Sequence, residues 1–140
     1  MSVDTILLTL HVLGACVVLG MTVASVIMTY KDSLTLEGLK LFMKVRMVGG
    51  MAVGAQVLTG LGLVFQEPDE FGKSPIFWVK MAVFVLDGII AVGIIKKRAT
   101  EISKSQSSEA LQKSKLGTFA LVNLVAMVVV VSLGVYLANM

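Results

Sequence analysis

The sequence predicts an all-α fold, a bundle of four transmembrane helices in one domain spanning residues 1–140, with both termini on the outer, non-cytoplasmic side. Three observations predict it. Hydrophobic residues make up 56% of the chain and charged residues only 15%, a balance too apolar for a water-solvated domain of this length. The apolar residues gather into four long runs with the charges between them, as a bilayer requires. The connections between runs also differ in charge, which gives the chain a direction across the membrane.

The first helix is expected at about 5–30, the second at 41–65, the third at 76–95 and the fourth at 117–138. Each meets the ~20 residues that cross ~30 Å of hydrocarbon at ~1.5 Å per residue. No run alternates with period 2, and an open sheet would leave backbone groups unpaired in lipid. The first connection, from Lys31 to Lys40, is short and mixed. The second, Gln66 to Pro75, holds Glu67, Asp69 and Glu70 against Lys73 and carries both prolines. The third, Lys96 to Lys115, is the longest and most polar, with Lys96, Lys97, Arg98, Lys104, Lys113 and Lys115 against Glu101 and Glu109. Within it Ser103 to Ser108 is read as a polar loop. The positive-inside rule assigns the first and third connections to the cytoplasm, and the protein is expected in the plasma (inner) membrane as a multi-pass chain.

The opening Met-Ser-Val-Asp lacks the basic region of a signal peptide, so the first run is expected to be retained as a helix. The net charge of +3 reflects lysines at helix ends rather than a patch interleaved with aromatics, which argues against nucleic acid. Cys16, the sole cysteine, excludes a disulfide or a cysteine-based metal site within one chain. No His-x-x-x-His pair, phosphate-binding loop or serine or cysteine triad is present. Gly20-xxx-Ala24 and Gly50-xxx-Gly54 stand at helix-packing spacing and predict close approach within the bundle.

An ionisable side chain in hydrocarbon costs roughly 2.5–3.5 kcal/mol, so each needs a partner, a cavity or a role. Four qualify: His11, Arg46, Lys80 and Asp87. Gln56, Thr59 and Asn123 add uncharged polarity at membrane depth. With the first and third helices running inward, His11 and Lys80 fall at similar depths near the outer boundary, and Asp87 follows two turns after Lys80 on the same face. Arg46 falls near the inner boundary and Gln56 toward the middle. A polar seam from His11 and Lys80 through Gln56 and Asp87 to Arg46 is thereby expected. Structural alternatives stand beside it. Arg46 and Lys80 can snorkel to an interface, His11 can hydrogen-bond across helices, and Asp87 can be protonated and bonded to Gln56, Thr59 or Asn123, or paired with a cation. The nine methionines serve as packing filler.

The run Leu10-His11-Val12-Leu13-Gly14 followed by Gly20, the run Phe42-Met43-Lys44-Val45-Arg46, the run Thr59-Gly60-Leu61-Gly62-Leu63, and Trp78-Val79-Lys80 resemble elements of small membrane proteins related to HemJ-type protoporphyrinogen oxidase and copper-resistance protein D. The resemblance covers the first three helices. It implies haem b as cofactor, His11 as ligand to haem iron or another metal, and Lys80 as a cofactor-binding and catalytic position, with Arg46 as a second catalytic candidate. The chain departs from that pattern in having no second histidine, so bis-histidine ligation within one chain is excluded. The first helix also ends in Thr22 to Tyr30 rather than in the aromatic and arginine-rich segment of HemJ. The expected function is a haem- or metal-binding membrane protein with an electron-transfer or porphyrin-related redox role; HemJ-type oxidoreductase activity is what the resemblance would imply, and the missing second histidine weakens that implication. The alternative is a non-catalytic accessory subunit of a larger membrane complex. Expected partners are the lipid bilayer and either further copies of the chain, as a homo-oligomer, or other subunits.

Overall fold

The computed structural model describes residues 3–30, 34–66 and 68–137. In order it comprises α1 (Val3–Met28), α2 (Leu36–Gln66), α3 (Pro68–Lys73), α4 (Pro75–Gly88), a π-helical stretch (Ile89–Lys96), α5 (Lys97–Ser105), α6 (Ser108–Gln112) and α7 (Leu116–Leu137). All regular structure among the described residues is helical. Four helical stretches are long and apolar enough to span a membrane: Thr5–Met28, Leu36–Gln66, Pro75–Ser105 and Ser108–Leu137. Their surfaces agree with that reading. Phe65 is 80% exposed, Leu58 72% and Met51 71%, a display that water penalises and hydrocarbon solvates.

Two helix ends differ from the sequence expectation, and one buried cluster explains both. Leu39, Phe42, Ile95, Ala99, Ile102, Leu111 and Leu116 pack together at the end of the bundle that carries the basic connection. Leu39 and Phe42 draw the start of α2 back to Leu36. Ala99 and Ile102, three residues apart on one helix face, extend the third span as α5 to Ser105 while Lys97, Arg98, Glu101 and Lys104 stay exposed. The connection read as a polar loop is therefore largely helical, including Ser103 to Ser105. Gln106 and Lys115, both with left-handed backbone at φ 52 and φ 53, break the helix before α6 and before α7. Ser107 caps α6 by accepting from the Ala110 N–H at 3.1 Å, the role for which a short hydroxyl side chain suits a helix start. Ser74 caps α4 by accepting from the Phe77 N–H at 3.4 Å, with Pro75 in the first turn. The second connection carries α3. Met1, Ser2, Lys31, Glu67 and Ala138, which the sequence reading assigned to the opening segment, to connections and to the end of the fourth helix, lie outside the described residues.

α1 and α2 run antiparallel along most of their lengths. Leu7 faces Gly62, His11 faces Gly60, Gln56 faces Gly14 and Met21 faces Gly49. α7 packs against both α1 and α4, and α2 meets α5 at the basic end. A Cβ on Gly117 would stand 2.9 Å from the Thr29 carbonyl oxygen, so glycine there sets how closely α7 enters beside α1. Around Gly20, Gly50 and Gly54, by contrast, a Cβ would meet nothing within 4 Å. The glycines singled out by spacing, Gly20, Gly50 and Gly54, thus mark no close helix approach among the described residues. Spacing marks a smooth face but not which way it points.

Thr22 and Ser25 on α1 and Thr29 just past its end are buried. Their hydroxyls donate to the carbonyls of Val18, Met21 and Ser25, each at 2.8 Å, so the helix satisfies these polar groups itself.

Candidate functional site

The intramembrane polar residues separate into two clusters at different levels of the bundle. The first joins α1, α2, α4 and α7 toward the end bearing the chain's start. The His11 ring nitrogen Nδ1 and the Thr59 hydroxyl lie 3.0 Å apart. The same hydroxyl reaches the Ala55 carbonyl one turn back on α2 at 2.9 Å. With the hydroxyl proton directed at Ala55, the oxygen accepts from Nδ1–H. That assigns the neutral ring its tautomer and leaves Nε2 with a lone pair. Gly60 admits the ring: a Cβ there would lie 3.1 Å from His11 Cε1. Gln56 donates from Nε2 to the His11 carbonyl oxygen, while Gly14 gives its side chain room. His11 is thereby held through both its backbone and its ring.

Lys80 completes this level from α4. Its charge is close enough to act on the His11 ring, and its Nζ lies 3.1 Å from where a Cβ on Gly134 would stand. Neither His11 nor Lys80 has an acidic partner in a salt bridge among the described residues. The level therefore presents an imidazole lone pair beside an ammonium group, both half-buried. Such a pair suits a ligand that carries both a Lewis-acidic centre and a negative charge.

The second cluster is a bridge built on α7. Asn123, 2% exposed, accepts from Arg46 Nη1 on α2 through Oδ1 at 2.6 Å and donates from Nδ2 to Asp87 Oδ1 on α4. One amide thus satisfies a cation and a carboxyl group on two different helices. Arg46 and Asp87 also act on each other electrostatically. Every buried side-chain nitrogen and oxygen among the described residues has a partner, so this cluster is a closed network. The π-helical stretch begins two residues after Asp87.

The expected continuous seam is broken in two. Asp87 stands seven residues, ~10.5 Å, beyond Lys80, and Arg46 is thirteen residues, ~19.5 Å, from Thr59. Gln56, placed by sequence between the clusters, turns to the His11 backbone and does not reach Asp87. Of the three partners considered for Asp87, the structure provides Asn123, and Thr59 instead serves His11. Sequence reasoning missed Gly134 as the neighbour of Lys80 and Gly60 as the neighbour of His11. For Gly60 a signal was available, since a glycine directly after an intramembrane threonine leaves a notch beside a hydroxyl.

The donor set discriminates between kinds of metal centre. Among the described residues no three His, Cys, Asp or Glu side chains converge, the kind of cluster on which a structural zinc site is built. For a haem, which brings its own nitrogens to the iron, His11 is the side chain of this chain that would supply the protein's ligand. The Thr59 contact would be the outer hydrogen bond orienting such a ligand. Two shallow concavities among the described residues lie elsewhere, around Thr29, Leu111 and Gly117 and around Thr35, Glu37 and Ser108 at the basic end.

The family model described as "Predicted membrane protein (DUF2214)" matches residues 3–139. No curated protein matches, and no solved structure matches.

Proposed function

For a chain that belongs to the DUF2214 family of predicted membrane proteins, we propose a role as a membrane-embedded binding protein for haem b, acting in electron transfer or porphyrin-related redox chemistry. The observation that carries it is the His11–Thr59 hydrogen bond, which, with the hydroxyl proton directed at Ala55, leaves a lone pair on Nε2 at the level that also carries Lys80. His11 would supply the axial nitrogen and Lys80 would hold a propionate. When bound, the haem would supply one-electron chemistry. The residues of this chain orient the ring, through Thr59 and Gln56, and compensate the carboxylate charge, through Lys80. Arg46, in this reading, supports the bundle through Asn123 and does not touch the haem. The kinship with HemJ-type and copper-resistance-D-like proteins belongs to the same proposal, as do the plasma-membrane location and termini facing outward.

The test is the absorption spectrum of the purified protein with and without dithionite. A Soret band that shifts on reduction, lost in His11→Ala and weakened in Lys80→Met, supports the reading. A colourless wild-type protein that takes up no added haemin refutes it.

A second reading has its own observation. Gly20, Gly50 and Gly54 line helix surfaces with nothing within 4 Å, as expected of a non-catalytic subunit whose small-residue faces meet other chains. In that case His11 and Lys80 serve packing, and cross-linking in native membranes would capture the chain in a larger complex while the spectrum stays blank.

A further inference from the structure

The basic end of the bundle is more than a topology signal. The helix from Pro75 to Ser105 is 31 residues long, ~46 Å at ~1.5 Å per residue, against ~30 Å of hydrocarbon. Its last turns therefore leave the hydrocarbon through the headgroup layer. They do so as α5, whose Ala99 and Ile102 are buried against Leu39 and Phe42 of α2 while Lys97 and Lys104 stay exposed seven residues apart. On α2, Lys40 and Lys44 are likewise exposed, one turn apart on the same face. The shared apolar cluster thus brings two lysine-bearing helices together at one level of the membrane.

Among the described residues none of these lysines forms a salt bridge. The ion pairs among the described residues are Lys73 with Asp69 at 3.0 Å and Lys113 with Glu109 at 2.5 Å. Neither involves Lys40, Lys44, Lys96, Lys97 or Lys104. Glu37 and Glu101 share this end, yet neither forms a salt bridge with them. Like charges one turn apart, as in Lys40 and Lys44, repel and destabilise a helix unless a counter-charge approaches. Arg98 is the exception among the basic residues. Its guanidinium donates to the Ser114 carbonyl at 2.8 Å and lies 4.8 Å from the Phe119 ring centre, so it fixes α5 against the start of α7.

We propose that the exposed lysines of α2 and of the α4–α5 helix, held at headgroup depth by the Leu39–Phe42–Ala99–Ile102 contact, form a binding surface for anionic phospholipid headgroups. The chemistry is an ammonium cluster facing phosphodiesters at the level where the helix leaves the hydrocarbon, and juxtamembrane clusters of this kind attract acidic lipid. The surface is separate from the His11 level, so it stands whether or not the bundle binds haem.

The experiment reconstitutes the full chain into phosphatidylcholine vesicles containing a minor share of phosphatidylglycerol. Spin-labelled phosphatidylglycerol and phosphatidylcholine then report which lipid the protein retains. The wild type is expected to favour phosphatidylglycerol, and Lys40→Gln/Lys44→Gln/Lys97→Gln/Lys104→Gln to lower that preference by at least about fivefold, the change set by the loss of roughly one near-surface cation. Molar salt should erase the wild-type preference without any substitution, a readout that survives if the variant fails to insert. Inorganic phosphate should not compete at concentrations where phosphatidylglycerol does. Equal retention of the two lipids by the wild type, a preference unchanged in the variant or in salt, or full competition by inorganic phosphate would each overturn the proposal.

Discussion

Removing the charge of Asp87 should destabilise the bundle through Arg46, although the two side chains meet only through Asn123. The sequence left Asp87→Asn open between a neutral exchange and the stranding of a cation. The bridge leads us to expect the second outcome, because Arg46 Nη1 and Asp87 Oδ1 converge on one amide and arginine keeps its charge in any protein environment. Side-chain hydrogen bonds between membrane helices reach at most about 1.7 kcal/mol each, so two of them bound the network at roughly 3 kcal/mol. Asp87→Asn preserves a hydrogen-bonding group but leaves Arg46 uncompensated, and partial escape of its long side chain toward the interface reduces the penalty. The expected loss is about 2 kcal/mol, measured by SDS-driven unfolding of the protein in mixed micelles. Asn123→Leu, which removes both bonds at a site 2% exposed, should cost about 3 kcal/mol. The discriminating variant is Arg46→Met/Asp87→Asn. With the cation gone the carboxyl group is no longer needed, so the double variant should be more stable than the sum of the single changes by at least ~1 kcal/mol. Additive single changes, or Asp87→Asn within about 0.5 kcal/mol of wild type, would refute the coupling.

Further outcomes follow from the same geometry. Gly117→Ala puts a methyl group 2.9 Å from the backbone carbonyl of Thr29 and should destabilise by about 1–3 kcal/mol, whereas Gly54→Ala enters open space and should be neutral or stabilising by up to ~1 kcal/mol, by unfolding in the same micelles. Thr59→Val removes the hydroxyl that orients His11 while keeping its bulk. If His11 binds haem, it should weaken haem retention roughly 10–100-fold in a haemin titration, and unchanged retention would show that Thr59 does not set the ligand. In a Cys16→Ala background, an impermeant thiol reagent applied to intact cells should modify Lys73→Cys and spare Ser105→Cys. The reverse pattern would invert the orientation.

The four spans were legible in the sequence because lipid acts on composition. A run of about twenty apolar residues can satisfy its backbone only as a helix, whatever its neighbours. The short list of intramembrane polar residues was legible for the same reason, since the bilayer makes each one expensive wherever it faces. The pairing of those residues was decided by tertiary structure. Gln56 turned to the His11 carbonyl because α1 and α2 are antiparallel with Gly14 opposite it, and Asn123 became the bridge because α7 lies where both α2 and α4 can reach it. The direction of the small faces was tertiary as well: Gly50 and Gly54 match a packing pattern yet face outward, while Gly60 and Gly117 carry the close approaches. Helix ends beyond the hydrocarbon escaped the sequence reading for a related reason. There water satisfies the backbone in either state, and only the contact of Leu39 and Phe42 with Ala99 and Ile102 makes the charged stretch after Ile95 continue as a helix. Sequence alone thus determined which segments enter the membrane, a matter of transfer from water to lipid. The tertiary structure decided which polar groups meet, because that depends on the rotation and register of helices whose apolar surfaces are nearly alike.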